Sequence, residues 1–237
     1  MNEMHQISTL QALVLGYSRG VVSVEELLEH GDLGLGTFED IAGEMIVVDR
    51  KAYQANNLGE IHEMGPEKRV PFGAVAFMED AVETMLDPGC GIESLKRQLN
   101  VLVDSDFGLN SMYAIRLDGF FPKVHARSLA GQHSEHVELS EILKKNQKEF
   151  LFENIAGTIV GLRFPDYMEG INAAGWHFHF ISADRTCGGH VFDLDFERMP
   201  LKRCQLHNIR IQLPTDAAFD TYELKSVSKD DVKKVEG

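Results

Sequence analysis

Short apolar segments that end at turn residues are the feature of this sequence that most restricts its fold. Each segment is β-branched or alternates between apolar and polar residues, and Gly, Pro or Asp stands at its ends, as is typical of β-strands. The predicted strands are Glu44 to Asp49, Pro71 to Met78, Ser111 to Asp118, Phe120 to Arg127, Ile155 to Phe164, Gly175 to Ser182, His190 to Phe196 and Leu206 to Leu213. The second half of the chain is therefore expected to be mostly antiparallel β-structure.

Helical signals interrupt these strands. Ser23 and Glu26 form a capping box that predicts a short helix from Ser23 to Gly31. Further helices are predicted from Ile92 to Val103 and from Glu138 to Phe150, and Ser228 can begin a last helical turn or two.

The order of elements predicts an α+β, two-domain fold. We expect residues 1–132 to form a domain with a mixed sheet, and residues 133–237 to form a mainly antiparallel β domain. The metal site described below would lie between them, and the tail would fold back to it.

Composition restricts the partners and the compartment. The 237 residues are 43% hydrophobic and 25% charged, as in ordinary folded proteins, and the net charge of -14 repels phosphate backbones and anionic lipids. The three cysteines form no CxxC pair, which favours reduced thiols and a cytoplasmic location. We expect a small-molecule substrate, a homodimer, and no binding to nucleic acid or membranes.

The densest chemical signal is a pair of histidines two residues apart. On a strand, His177 and His179 point to one face while the aromatic residues between and beside them point to the other, which is how two-point metal chelation is built. His190 can supply a third nitrogen if most of residues 180–189 loop out and place it across from or diagonal to His179. Hydrogen-bonded histidines without a metal are the alternative interpretation.

The remaining histidines are not part of a comparable cluster in the sequence, and we expect no metal role for them. They are His5, His30, His62, His125, His133, His136 and His207. Three imidazoles suit zinc, although iron, manganese or cobalt would also bind. Glu44 places a charge on the apolar face of its strand, so it is either a further ligand or a carboxylate at the rim of a sheet. Arg127 ends an alternating strand, where an exposed side chain is the default interpretation.

Several motifs together resemble the α-acetolactate decarboxylase family. They lie at residues 31–38 (Gly-Asp-Leu-Gly-Leu-Gly-Thr-Phe), 43–49 (Gly-Glu-Met-Ile-Val-Val-Asp), 53–54 (Tyr-Gln), 71–72 (Pro-Phe), 113–119 (Tyr-Ala-Ile-Arg-Leu-Asp-Gly), 127–128 (Arg-Ser) and in the histidine segment. The resemblance implies a two-domain α/β fold and a zinc ion held by His177, His179 and His190. It also implies site glutamates at Glu44 and at Glu236, with Glu223 as the other tail candidate, and a site arginine at Arg127.

The resemblance further implies an activity. Such enzymes convert (S)-2-acetolactate to (R)-acetoin and carbon dioxide through a metal-stabilised enediolate, without thiamine diphosphate or pyridoxal phosphate. Arg127 would bind the substrate carboxylate, and a glutamate at the metal would deliver a proton to one face of the enediolate.

Two other classes of protein remain open at this stage. One is a different three-histidine metalloenzyme, such as an iron-dependent dioxygenase or a metal hydrolase. The other is a metal-stabilised binding protein without catalytic activity, in which chelation lowers the melting temperature and no keto acid is turned over.

Overall fold

The computed structural model describes residues 2–132 and 136–224. The helices of these residues are α1 (Leu10–Val14), α2 (Val24–Leu28), α3 (Ile92–Ser105) and α4 (Leu139–Asn146). The strands are β1 (Glu3–Ile7), β2 (Val22–Ser23), β3 (Leu33–Thr37), β4 (Glu44–Val48), β5 (Lys51–Ala55), β6 (Ile61–Glu63), β7 (Arg69–Val70), β8 (Phe72–Ala76), β9 (Val82–Leu86), β10 (Gly89–Cys90), β11 (Met112–Leu129), β12 (Gln147–Phe164), β13 (Gly175–Ser182), β14 (Gly188–Phe196), β15 (Met199–Leu206) and β16 (Asn208–Gln212).

The first sheet is mixed. Its strand order is β16-β1-β8-β3-β4-β5-β6, and β1 runs parallel to β16 while the other neighbours are antiparallel. A short two-stranded sheet joins β2 to β7.

The second sheet is antiparallel, with the order β10-β14-β13-β12-β11-β15-β9. An additional pairing between β14 and β11 closes β11, β12, β13 and β14 into a small barrel. The structure thus combines a mixed sheet, a mainly antiparallel sheet and a few helices. The expected α+β fold is confirmed. No helix of the described residues is long and apolar enough to cross a membrane.

The two sheets pack against each other through a shared apolar core. Leu33, Leu35 and Ile46 of the first sheet are buried in one cluster with Val160 and Ile181 of the second. Alternation along each strand explains this arrangement, because every second residue of a strand points to the same face. The packing brings the start of β4 close to β13 and β14, where the histidines lie.

The helix predictions differ in outcome. The capping box at Ser23 and Glu26 forms at the start of α2, and α3 begins at Ile92 as predicted. The helix predicted from Glu138 to Phe150 is wrong at its end, since α4 ends at Asn146 and residues 147–150 pair with residues 126–129 of β11. The backbone groups of these residues are instead paired in the ladder with β11. The predicted turn at Ser228 lies outside the described residues.

Two strand predictions are also wrong. The strands predicted to end at Asp118 and begin again at Phe120 are one strand, because Gly119 pairs with Gly157 inside the ladder. A Cβ at Gly119 would lie 2.8 Å from the Met199 side chain, so this glycine makes room for packing and does not mark a turn. The strand predicted from Leu206 to Leu213 is divided at His207, where the chain passes from the second sheet to the first.

The division of the chain into domains at residue 132 stays a prediction. The second sheet takes β9, β10 and β11 from residues before 132, and the first sheet takes β16 from near the end of the described chain.

Candidate metal centre

Three neighbouring strands bring the site residues into one row. His179 of β13 lies directly opposite His190 of β14, and His190 lies opposite Arg127 of β11. Residues that face each other across antiparallel strands point to the same side of the sheet. His177 stands two residues before His179 and shares that side. The expectation that His190 lies across from His179 is confirmed.

The connection between the two histidine strands is shorter than expected. Phe180 pairs with Gly189 and Ile181 with Gly188, so the prediction that most of residues 180–189 loop out is wrong. Only the turn between Ser182 and Cys187 leaves the ladder, and the Ser182 N–H donates to the Cys187 carbonyl at its base. Gly189, at φ 157°, passes so close to Arg127 that a Cβ would lie 2.5 Å from its carbonyl oxygen. This close approach lets the ladder continue to the turn.

The histidine nitrogens converge on one point. The His177 Nε2 atom lies 3.1 Å from the His179 Nε2 atom and 2.9 Å from the His190 Nδ1 atom, and all three ligand atoms lie within 4.8 Å of one another. Tetrahedral coordination with metal–nitrogen bonds of about 2.0 Å holds ligand atoms about 3.3 Å apart. The spacing therefore fits a single metal ion with only a small adjustment.

A backbone carbonyl orients the most buried of these rings. The Nδ1 atom of His179 donates a hydrogen bond to the Met45 carbonyl oxygen at 2.8 Å, since a carbonyl can only accept. The Nε2 lone pair of His179 is then directed to the other two histidines. Such a partner on the far nitrogen is the usual arrangement of a metal-bound histidine.

The environment of His177 and of His179 favours the neutral form of each ring. Burial, with a smaller contribution from the Arg127 charge, lowers the pKa of His177 to about 3. Burial and the neighbouring His177 hold the pKa of His179 well below its usual range. Neutral imidazole is the form that binds metals, so these pKa shifts favour the ligand state at neutral pH.

Glu44 belongs to the first sheet and lies beside the histidines of the second sheet. It begins β4, one residue before Met45, and only 7% of it is exposed. Its Oε2 atom lies 3.6 Å from the His179 Nε2 atom. The buried charge predicted at this strand thus lies beside the histidine cluster, within reach of an ion held there.

Arg127 is buried, with 5% of its surface exposed, so the default of a solvated arginine on an alternating strand is wrong. The strand pairing shifts by one residue between His125 and Ala126, and the ring of Phe192 covers the guanidinium at 5.1 Å. The Arg127 Nη1 atom donates a hydrogen bond to Gln147 Oε1 at 2.9 Å.

A small pocket borders these groups. Glu44, Arg127, His177 and His190 line it together with Thr37. The apolar lining comes from α1, α4, neighbouring strands and the 3-10 helix Glu39–Ile41, and consists of Leu13, Ile41, Phe72, Leu129, Leu139 and Leu143. The cavity joins a cation, a carboxylate and a metal-ligating face to an apolar wall. This combination suits a small anionic ligand with short alkyl groups.

The structure describes only one of the two tail glutamates proposed for the site. Glu236 lies outside the described residues, and Glu223 is exposed. Among the described residues, His177, His179 and His190 form the one group of three or more metal-ligating side chains close enough to hold an ion.

Sequence reasoning missed three residues of the site. Thr37 pairs with Glu44 across β3 and β4, Phe192 covers Arg127, and Gln147 binds it. Thr37 lies in the family-like motif at residues 31–38, whereas the sequence patterns predict a helix at Gln147 and a strand at Phe192, with no role for either side chain. No spacing rule links these two residues to Arg127 without the strand register.

Comparisons with known proteins show the family of this chain. A sequence model of the alpha-acetolactate decarboxylase family matches residues 4–226. The alpha-acetolactate decarboxylase of Methanosarcina mazei is 35% identical over 98% of this chain and 80% of its own length, and that of Brevibacillus brevis is 34% identical over 99% and 81%. The crystal structure of the enzyme from Bacillus subtilis strain 168 matches with a TM-score of 0.93 at 33% identity, covering 99% of both chains. The chain belongs to the alpha-acetolactate decarboxylase family.

Proposed function

We propose that this protein decarboxylates (S)-2-acetolactate to (R)-acetoin and carbon dioxide and that it uses a divalent metal ion. Zinc is the metal that we propose first. The observation that carries the proposal is the convergence of three imidazoles, whose ligand nitrogens lie within 4.8 Å of one another, beside a pocket that Arg127 also lines. Family membership supports the reaction, and the donor set supports the metal.

The residues present fit the metal. Three imidazole nitrogens and a carboxylate 3.6 Å from one of them are a donor set that zinc prefers. A bound ion would supply Lewis-acid stabilisation for the negative charge that develops on the substrate ketone as carbon dioxide leaves. His177, His179 and His190 would hold it, and Glu44 would complete the set.

Arg127 would bind and orient the substrate carboxylate. A guanidinium matches a carboxylate with two parallel hydrogen bonds, and burial strengthens them. Fixing the carboxylate also fixes the carbon–carbon bond that must break. Its electron pair stays with the rest of the substrate when carbon dioxide departs.

The apolar wall would exclude water and receive the two methyl groups of the substrate. Leu13, Leu139 and Leu143 lie on this wall, which α1 and α4 provide. Exclusion of water strengthens the attraction between Arg127 and the carboxylate, because the local dielectric constant is low.

A glutamate would return the proton that the product requires. The carbon that loses carbon dioxide must gain one proton, and delivery from one side gives a single enantiomer. Glu44 borders the cavity and is mostly buried, which supports it as one holder of this proton. Glu236 is the second candidate for this role and for a further ligand to the metal.

The compartment and the oligomer are part of the same proposal. The three cysteines are free, which supports a reducing cytoplasm. We expect a homodimer in solution.

The experiment is turnover of racemic 2-acetolactate by the purified protein, with carbon dioxide, acetoin and dissolved oxygen measured together. The proposal expects equal amounts of carbon dioxide and (R)-acetoin, and no oxygen uptake. Oxygen uptake would instead identify a dioxygenase. Absence of any turnover, together with a melting temperature lowered by chelation, would identify a metal-stabilised binding protein.

A further inference from the structure

A chain of hydrogen-bonded side chains runs from the cavity to the surface. Gln147 Oε1 accepts from Arg127 at 2.9 Å, and Gln147 Nε2 donates to Glu149 Oε1 at 3.1 Å. The other carboxylate oxygen of Glu149 lies 2.9 Å from the His125 Nε2 atom. The buried arginine is thus connected through one amide to the exposed contact between Glu149 and His125.

The strand register creates this chain. Arg127 lies opposite Glu149 and Leu129 lies opposite Gln147, so Gln147 is the diagonal neighbour of Arg127 on the same face. The backbone of Gln147 is fixed as well, because its N–H donates to the Leu143 carbonyl and closes α4. Gln147 therefore stands at a junction of helix and strand, where its side chain starts from a defined position.

The chemistry of the two neighbours fixes the direction of the Gln147 amide. A guanidinium only donates hydrogen bonds, and an ionised carboxylate only accepts them. The amide must therefore turn its oxygen to Arg127 and its nitrogen to Glu149. The opposite orientation would place donor against donor and acceptor against acceptor, leaving partly buried polar groups without bonds.

We propose that Gln147 is a positioning residue that orients Arg127 for ligands that carry a carboxylate. A neutral amide oxygen holds one edge of the guanidinium without adding a negative charge beside it, as a carboxylate in that place would. The ring of Phe192, 5.1 Å from the guanidinium carbon, limits its movement on another side. The inference rests on the proposed function, since it assumes that Arg127 binds the carboxylate of the substrate.

The test compares one charged and one neutral ligand by calorimetry. 2,3-Dihydroxy-2-methylbutanoate, the alcohol that corresponds to acetolactate, carries the carboxylate, and 2,3-butanediol lacks it. Gln147→Met keeps the length of the side chain and removes its hydrogen bonds. Glu149→Gln keeps a side chain of similar size beside Gln147. It can donate as well as accept a hydrogen bond, so it no longer fixes the direction of the Gln147 amide. Glu153→Gln, an exposed change of the same charge on the same strand, is the matched control.

The inference expects Gln147→Met to raise the Kd of the carboxylate ligand about 10-fold, Glu149→Gln about 3-fold, and Glu153→Gln not at all. The Kd of 2,3-butanediol and the metal content should stay at the wild-type values in all three variants. In turnover, the loss should fall on KM more than on kcat.

Two results would overturn the inference. Equal weakening of both ligands in Gln147→Met would show a structural role only, and an unchanged Kd for the carboxylate ligand would show no role. Failure of the wild-type protein to decarboxylate acetolactate would remove the proposed function, whereas a change of both Kd values alike in an active enzyme removes only the inference about Gln147.

Discussion

The Nδ1 atom of His179 donates a hydrogen bond to the carbonyl oxygen of Met45 at 2.8 Å. His179 belongs to the second sheet and Met45 to the first, so this bond joins the two sheets at the candidate metal centre. This bond fixes the tautomer of the His179 ring. It also brings Glu44, the residue before Met45, close to that ring. The candidate metal centre is thereby assembled from both sheets.

The histidine cluster leads to a prediction about metal content. His177→Ala, His179→Ala and His190→Ala should each lose bound metal and activity together, because removing one of three nitrogens breaks the chelate. Elemental analysis of the purified variants measures this. His62→Ala, which changes an exposed histidine of β6, is the control and should retain both. Full metal retention by one of the three variants would remove that histidine from the ligand set.

Arg127→Lys should show a different signature. Lysine keeps the charge but not the planar fork, so kcat/KM should fall by roughly 10- to 1000-fold while the metal content stays unchanged. Steady-state kinetics and elemental analysis on the same preparation test this. Wild-type kinetics would show that Arg127 does not bind the substrate carboxylate.

Local patterns predicted much of the fold and the placement of the histidine cluster. The spacing of His177 and His179 indicates one strand face, and strand parity allows His190 to join them. Several strands of the two sheets also follow from short alternating segments. These features depend on residues close in sequence, which a pattern can relate.

Contacts between distant residues were not predictable in the same way. The burial of Arg127 depends on a shift in pairing with β14 and on the ring of Phe192. The end of α4 depends on competition with an 18-residue ladder partner that local helical spacing does not reveal. The crossing of the chain at His207 depends on β1 as the partner of β16. In each case a distant strand overrides the local preference.

The tail prediction concerns residues outside those described. Deleting Glu236 and Gly237 should leave the fold and most of the metal in place, since the three histidines remain. Turnover, or the enantiomeric purity of the acetoin, should fall strongly if Glu236 reaches the metal. Rate and chiral chromatography are the measurements. A truncated enzyme equal to the full-length one in both would exclude Glu236 and make Glu223 the residue to test.

His5 leads to a prediction about acid stability. It is buried in β1, and burial, with smaller contributions from His30 and Arg210, lowers its pKa to about 4. The unfolded chain, with a histidine pKa of about 6.5, binds a proton before the folded protein does, so stability is lost as the pH falls from 6.5 towards 4. At pH 5 this amounts to about 2 kcal/mol at most.

The measurement is the melting temperature of the metal-loaded protein at pH 7 and pH 5. His5→Phe keeps a ring that can stack on His30 but cannot titrate, so it should lose less stability between these pH values than the wild-type protein does. Nearby Glu3, His30 and Arg210 are the same in both proteins. An equal loss in both would show that His5 is not responsible.

The central claim is that the metal held by His177, His179 and His190 makes the decarboxylation possible. It is tested most directly by the rate of carbon dioxide release from 2-acetolactate before chelation, after complete removal of metal, and after return of zinc. The account predicts that release falls to the uncatalysed rate in the metal-free protein and recovers in proportion to the metal bound, up to one ion per chain. Undiminished release by a metal-free protein that is still folded would contradict it.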